Sequence, residues 1–136
     1  NQMMNKNNKF VSLGNIDSRR DYTYVEDLCS AYEILMNSKN TNGKIYHTSN
    51  NENFSIGEIF DLIKSNLKSK KKFKIVKNRF RPNNSEVNEL LGDNAKINKD
   101  LNWSPATNLN KGLVKTIKWY RQNSKFINSK SENYVM

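Results

Sequence analysis

What most restricts the fold of this chain is a shortage of strands. A reading for hydrophobic period finds four helical stripes but only two or three short extended segments. Those segments are too few and too separated for a free-standing sheet. The clearest helix starts at Ser55, where Ser55 and Glu58 have the spacing of a capping box. Behind them Ile56, Ile59, Phe60, Ile63 and Leu67 repeat on one face. An earlier helix carries Leu28, Ala31, Tyr32 and Leu35 at i, i+3, i+4 and i+7, with Thr23 and Glu26 as its expected capping box. A short helix capped by Asp93 runs to Leu101, and a last one, capped by Asn108, runs from Leu109 to about Arg121. Gly112 inside that last helix costs roughly 1 kcal/mol against Ala, which close packing against a neighbour would explain.

The remaining segments read as strands and turns. Phe10 to Leu13, Lys44 to Ser49 and Phe73 to Lys77 are the strand candidates. Gly14 to Asp17 reads as a turn on the tolerance of Gly and Asn for positive φ. The fold class expected is α/β and helix-rich. Residues 1–9 are read as a frayed segment, 10–122 as one domain and 123–136 as a disordered tail.

Charge narrows the function. The chain has 136 residues and a formal net charge of +10, which first suggests nucleic acid or an anionic surface. Its 23 basic residues, however, are 18 Lys and five Arg, and Asn is commoner still at 24. Lys and Asn share AT-rich codons, so this balance reads as compositional bias. The densest run, Lys68 to Lys72, falls between two expected elements and reads as a solvated turn. No apolar run is long enough for a membrane span, and Asn1 to Lys9 lacks the apolar core of a signal peptide. With one cysteine, Cys29, a reducing, cytoplasmic setting is expected and no metal cluster.

Four arginines in two pairs carry the chemistry. Arg19 and Arg20 precede the first helix; Arg79 and Arg81 flank Phe80 before Pro82. A guanidinium presents a planar fork that matches phosphate oxygens, so two of them from separate loops would clamp a diphosphate, against the plainer reading of unconnected surface arginines. Glu86 is a candidate acceptor for ribose hydroxyls, against the plainer reading of a surface Glu. His47 reads as a packed strand residue rather than a base. Cys29, Trp103 and Trp119 read as core. The five glycines make no G-x-x-G-x-x-G loop, and no Tyr is followed four residues later by Lys.

The ordered motifs resemble a known family. Leu13-Gly14-Asn15 followed by Arg20-Asp21-Tyr22, Val25 and Asp27 is similar to an L-G-N…R-D-[FYW]-x-x-V-x-D segment. Tyr46 to Ser49 is similar to a Y-N-I-G/S strand, with His47 where Asn is usual. Arg81-Pro82…Glu86-Val87, Leu91-Gly92-Asp93, Trp103-Ser104-Pro105 and the run from Lys111 to Tyr120 resemble its C-terminal signature. The family is that of the extended short-chain dehydrogenase/reductases acting on nucleotide sugars, with GDP-sugar and related 4,6-dehydratases nearest. The resemblance covers about residues 10 to 122.

That resemblance implies a C-terminal, substrate-binding part of a Rossmann-type enzyme, whose short strands join the sheet of the missing part. It implies that Arg20 and Arg81 grip the diphosphate of a nucleotide sugar. Glu86 falls to the ribose, although three residues, Asn83 to Ser85, stand where the family's R-P-x-E-V form has one. Asn15 lies near the nucleotide, and Asn51 near a family Asn once a gap is allowed. The full enzyme would bind NAD(P) through its N-terminal part, oxidise the sugar at C4, and be a homodimer. Dehydratase and epimerase both stay open, since the deciding residues are absent. The other class considered is a small basic nucleic-acid-binding domain, which needs a continuous basic face.

Overall fold

The computed structural model describes residues 2–5, 7–82 and 85–123. The expected tail, Asn123 excepted, lies outside the described residues. Five strands and four α-helices are formed among them. These are β1 (Phe10–Leu13), β2 (Arg19–Asp21), α1 (Val25–Asn37), β3 (Asn53–Ser55), α2 (Ile56–Asn66), β4 (Lys72–Ile75), β5 (Glu89–Leu90), α3 (Ala95–Leu101) and α4 (Leu109–Gln122). A 3-10 turn spans Lys77–Arg79. The chain divides into two compact units.

Of the described residues, the first unit holds 2–5, 7–18, 55–82, 85–87 and 113–123. Here β1 and β4 pair in parallel, Val11 opposite Phe73 and Leu13 opposite Ile75. Val11 is buried from β1 and Phe60 from α2. The Phe60 and Phe73 rings meet edge to face with centroids 5.2 Å apart. The α2 capping box forms as its spacing predicts. Ser55 Oγ accepts the Glu58 N–H at 3.1 Å, and Glu58 Oε2 accepts the Ser55 N–H at 2.7 Å. The N-terminal residues make contacts of their own: Gln2 Oε1 accepts the Ser12 N–H, and Lys71 Nζ donates to the Gln2 carbonyl.

Gly14 is needed for a reason other than the one the sequence suggests. The glycine with positive φ among the described residues is Gly43, not Gly14. At Gly14 a Cβ would stand 2.4 Å from the main-chain oxygen of Arg79. The constraint is therefore close backbone approach rather than left-handed geometry.

The second unit holds Arg19–Phe54 and Asn88–Gly112. Its sheet has the order β3-β2-β5, with β2 and β5 parallel and Arg20 opposite Leu90. The core is Ala31 of α1, Ile97 of α3 and Trp103, with Ile34, Leu35, Tyr46 and Leu101 against it. Trp103 is 3% exposed, and its indole N–H donates to Ser30 Oγ at 2.9 Å. Buried Asp27 accepts the main-chain N–H of Thr107 at 3.0 Å, which ties the 105–107 segment to α1. Gly112 packs as expected: a Cβ there would stand 3.2 Å from the Tyr24 ring.

Several sequence expectations are corrected. Trp119 is 57% exposed, and Cys29 is exposed rather than core. Lys44 to Ser49 forms no ladder, and its carbonyls are taken by side chains instead: Lys96 Nζ at Ile45, Thr23 Oγ1 at Thr48 and Asn94 Nδ2 at Ser49. That use of Thr23 also removes it from the α1 cap, where Tyr24 is the N-cap with no side-chain bond. Five strands form where two or three were expected, because β2 and β5 are polar or very short and leave no alternating pattern. They pair with one another within the chain.

Candidate functional site

In the second unit Arg20 sits at the centre of β2, so strand geometry fixes its backbone. Its Nη1 donates to the Arg19 carbonyl at 2.7 Å, and the side chain is half-buried. Arg19 has a different task. Its Nε donates to Asn53 Oδ1 at 2.8 Å and its Nη2 to the Asn53 carbonyl at 2.9 Å. Asn53 in turn donates to Glu89 Oε1. Arg19 therefore braces the sheet, while the neighbouring Arg20 is the one of the pair that falls on the family motif. Burial holds the phenol of adjacent Tyr22 above its ordinary pKa of 10.0, with the Arg20 charge pulling the other way.

Asn51 stands in the same unit with left-handed backbone, φ 58°. Its side-chain amide is engaged locally. Oδ1 accepts the Asn94 N–H at 3.0 Å and the Ser49 hydroxyl at 3.1 Å, and Nδ2 donates to Asn94 Oδ1 at 2.8 Å. Asn94 and Ser49, both buried, belong to this polar knot and carry no local sequence signal that separates them from the other asparagines and serines. Gly92 packs against this knot, since a Cβ on it would fall 2.4 Å from Ser49 Cβ.

The first unit holds Asn15, Arg81 and Glu86. Asn15 Oδ1 accepts the Asp17 N–H at 3.0 Å, an Asx turn that shapes the L-G-N segment. Glu86 Oε1 accepts the buried Ser18 hydroxyl at 2.6 Å. Arg81 is exposed, next to Pro82. Its neighbour Arg79 donates from Nη1 to the Ser12 carbonyl at 3.1 Å, and so, like Arg19, is tied to main chain. Each arginine pair thus contains one residue used to hold the fold, and the other is the motif arginine.

These groups suit anion binding and offer no acid–base or redox set. His47 is exposed and lies outside any strand. Among the described residues no three His, Cys, Asp or Glu side chains are placed to hold a metal ion. No helix among them is long and apolar enough to cross a membrane.

The profile of the family described as GDP-mannose 4,6 dehydratase matches residues 1–116. A trifunctional UDP-glucose 4,6-dehydratase/UDP-4-keto-6-deoxy-D-glucose 3,5-epimerase/UDP-4-keto-L-rhamnose-reductase of Arabidopsis thaliana is 33% identical over 76% of this chain and 15% of its own length. A UDP-glucuronate 4-epimerase of Thermodesulfobacterium geofontis is 26% identical over 86% of this chain and 35% of its own. The crystal structure of a Bacillus anthracis dTDP-glucose 4,6-dehydratase in complex with NAD superposes with a TM-score of 0.76 at 24% identity, over 87% of this chain and 36% of that one. The fold is therefore shared with NAD-dependent nucleotide-sugar enzymes, and the chain spans about a third or less of each.

Proposed function

The chain belongs to the GDP-mannose 4,6 dehydratase family, and from that premise we propose that it is the nucleotide-sugar-binding part of an NAD-dependent nucleotide-sugar dehydratase or epimerase. The observation that carries this reading is the family match across residues 1–116, which includes both motif arginines. Arg20 and Arg81 take the diphosphate. Glu86, with its carboxylate already oriented by Ser18, takes the ribose. Asn15 and Asn51 shape the turns that border the nucleotide. The sugar nucleotide is the substrate, and a dinucleotide-binding part and a second copy of the enzyme are its partners.

The residues of this chain do not fit a dinucleotide site. Its five glycines make no Gly-rich phosphate loop, and no Tyr-x-x-x-Lys is present. NAD(P) is therefore assigned to residues outside these 136. Hydride transfer belongs with it, and the role of this chain is grip and orientation.

The test is kinetic. A charge-assisted hydrogen bond is worth roughly 1.5–3 kcal/mol, so Arg20→Ala or Arg81→Ala in the enzyme that carries this chain raises KM for the nucleotide sugar by about 10- to 150-fold. The effect on kcat is smaller, as loss of uniform binding requires. An unchanged KM in both variants overturns the reading.

One observation favours nucleic acid. Lys111, Lys115 and Lys118 lie at i, i+4 and i+7 on α4 and are exposed. Of the other helices, α1 holds no basic residue, α2 holds Lys64 and α3 holds Lys96 and Lys99. Changing the three α4 lysines to Gln should leave nucleotide-sugar KM unaltered.

A further inference from the structure

Successive side chains of a strand take opposite faces, so on β2 Arg19 and Asp21 share one face and Arg20 takes the other. Both residues of the shared face bind one short segment, 50–53. Arg19 holds Asn53 through its side-chain and main-chain oxygens. Asp21 Oδ1 accepts the main-chain N–H of Asn50 at 2.9 Å. The Asn50 side-chain amide then closes the ring by donating to the Tyr22 carbonyl. The strand itself is short: three residues, with two of them in register with β5. On its other side β2 pairs with β3, which is also only three residues long, and ladders this brief give limited resistance to rotation of β2 about its own axis. The two side-chain clamps add to it.

The other oxygen of Asp21 sharpens the point. Oδ2 is buried and has no hydrogen-bond partner among the described residues. It lies beside Gly92, where a Cβ would stand 3.7 Å from it. An unsatisfied buried polar atom is costly. Its retention is understandable if the acceptor on the other oxygen is what the site requires.

We propose that Asp21 is a positioning residue for Arg20: by holding the Asn50 amide it locks the 50–53 segment against one face of β2 and so fixes the direction in which Arg20 leaves the other. This rests on the reading of Arg20 as a diphosphate ligand. What Asp21 contributes is an acceptor oxygen, so an isosteric amide substitutes for it.

The test combines hydrogen exchange at the Asn50 amide with titration of this chain by UDP and by GDP. Asp21→Ala should speed Asn50 exchange by about tenfold or more and weaken the nucleotide that binds by about fivefold or more. Asp21→Asn should keep both within about threefold, because its Oδ1 still accepts. Arg20→Ala should weaken the nucleotide with Asn50 exchange unchanged. Where Asp21→Ala does not fold, Asp21→Glu replaces it; its carboxylate is one methylene too long for the Asn50 bond and must give the same two losses. Wild-type affinity in Asp21→Ala or Asp21→Glu beside weakened Arg20→Ala overturns the positioning role. So does an Asp21→Asn as impaired as Asp21→Ala. Absence of binding by the wild type, or of any effect of Arg20→Ala, overturns the diphosphate reading instead.

Discussion

Gly14 and Gly92 are held by contact rather than conformation. A methyl group on Gly14 would run into main chain at Arg79, and one on Gly92 into the side chain of Ser49. Gly14→Ala and Gly92→Ala should each destabilise the fold by about 1–3 kcal/mol in denaturant melts. The two differ in rescue: Ser49→Gly should recover part of the Gly92→Ala loss, whereas no side-chain change relieves a clash with the Arg79 carbonyl. Tyr22 makes a pH prediction. Burial raises its folded pKa above 10.0, the value it regains on unfolding. Its contribution to stability is thus fully present below about pH 10 and is lost as pH rises through the folded pKa. Tyr22→Phe should flatten that part of the stability profile, and Arg20→Ala should move the phenolate absorbance transition to still higher pH. Sequence alone singled out Arg20 and Arg81 as candidates but not the division of labour within each arginine pair. That division depends on Asn53 and Ser12, which lie 34 and 67 residues away along the chain.

Elements were legible where their signals were local. The α2 stripe and its capping box lie within one helical turn of each other in the sequence, and the structure forms both. Asn108 likewise accepts the Lys111 N–H at the start of α4. The same pattern misled at α1. Thr23 has the spacing of a cap, but its hydroxyl donates to the Thr48 carbonyl at 2.8 Å, a partner 25 residues on. Ser55→Ala should therefore cost about 1 kcal/mol as loss of a cap. Thr23→Ala should cost α1 little helicity and instead loosen the Thr48 segment, seen as faster exchange there. The sheets were the least legible elements. β2 and β5 have no hydrophobic alternation, and their pairing joins residues about 70 positions apart, a separation that no window of sequence reports.

At the scale of the whole molecule, the low hydrophobic content of 35% is reflected in small separate cores, one around Phe60 and one around Trp103. Apolar surface remains on α1, where Val25 is 60%, Tyr32 56% and Met36 80% exposed. With that surface and no dinucleotide loop, the purified chain should turn over no nucleotide sugar, and any measurable turnover would refute the assignment of hydride transfer elsewhere. The family was legible because its motifs occur in order along residues 10–122; the base and sugar were not, because nothing in the arginine motifs distinguishes one nucleotide from another. The most direct measurement is calorimetric titration of the chain with UDP and GDP against UMP and GMP. If Arg20 and Arg81 grip a diphosphate, the better diphosphate binds about tenfold or more tighter than its monophosphate, and each Arg→Ala change removes most of that preference. Equal affinity for mono- and diphosphates, or a preference untouched in both variants, would contradict it.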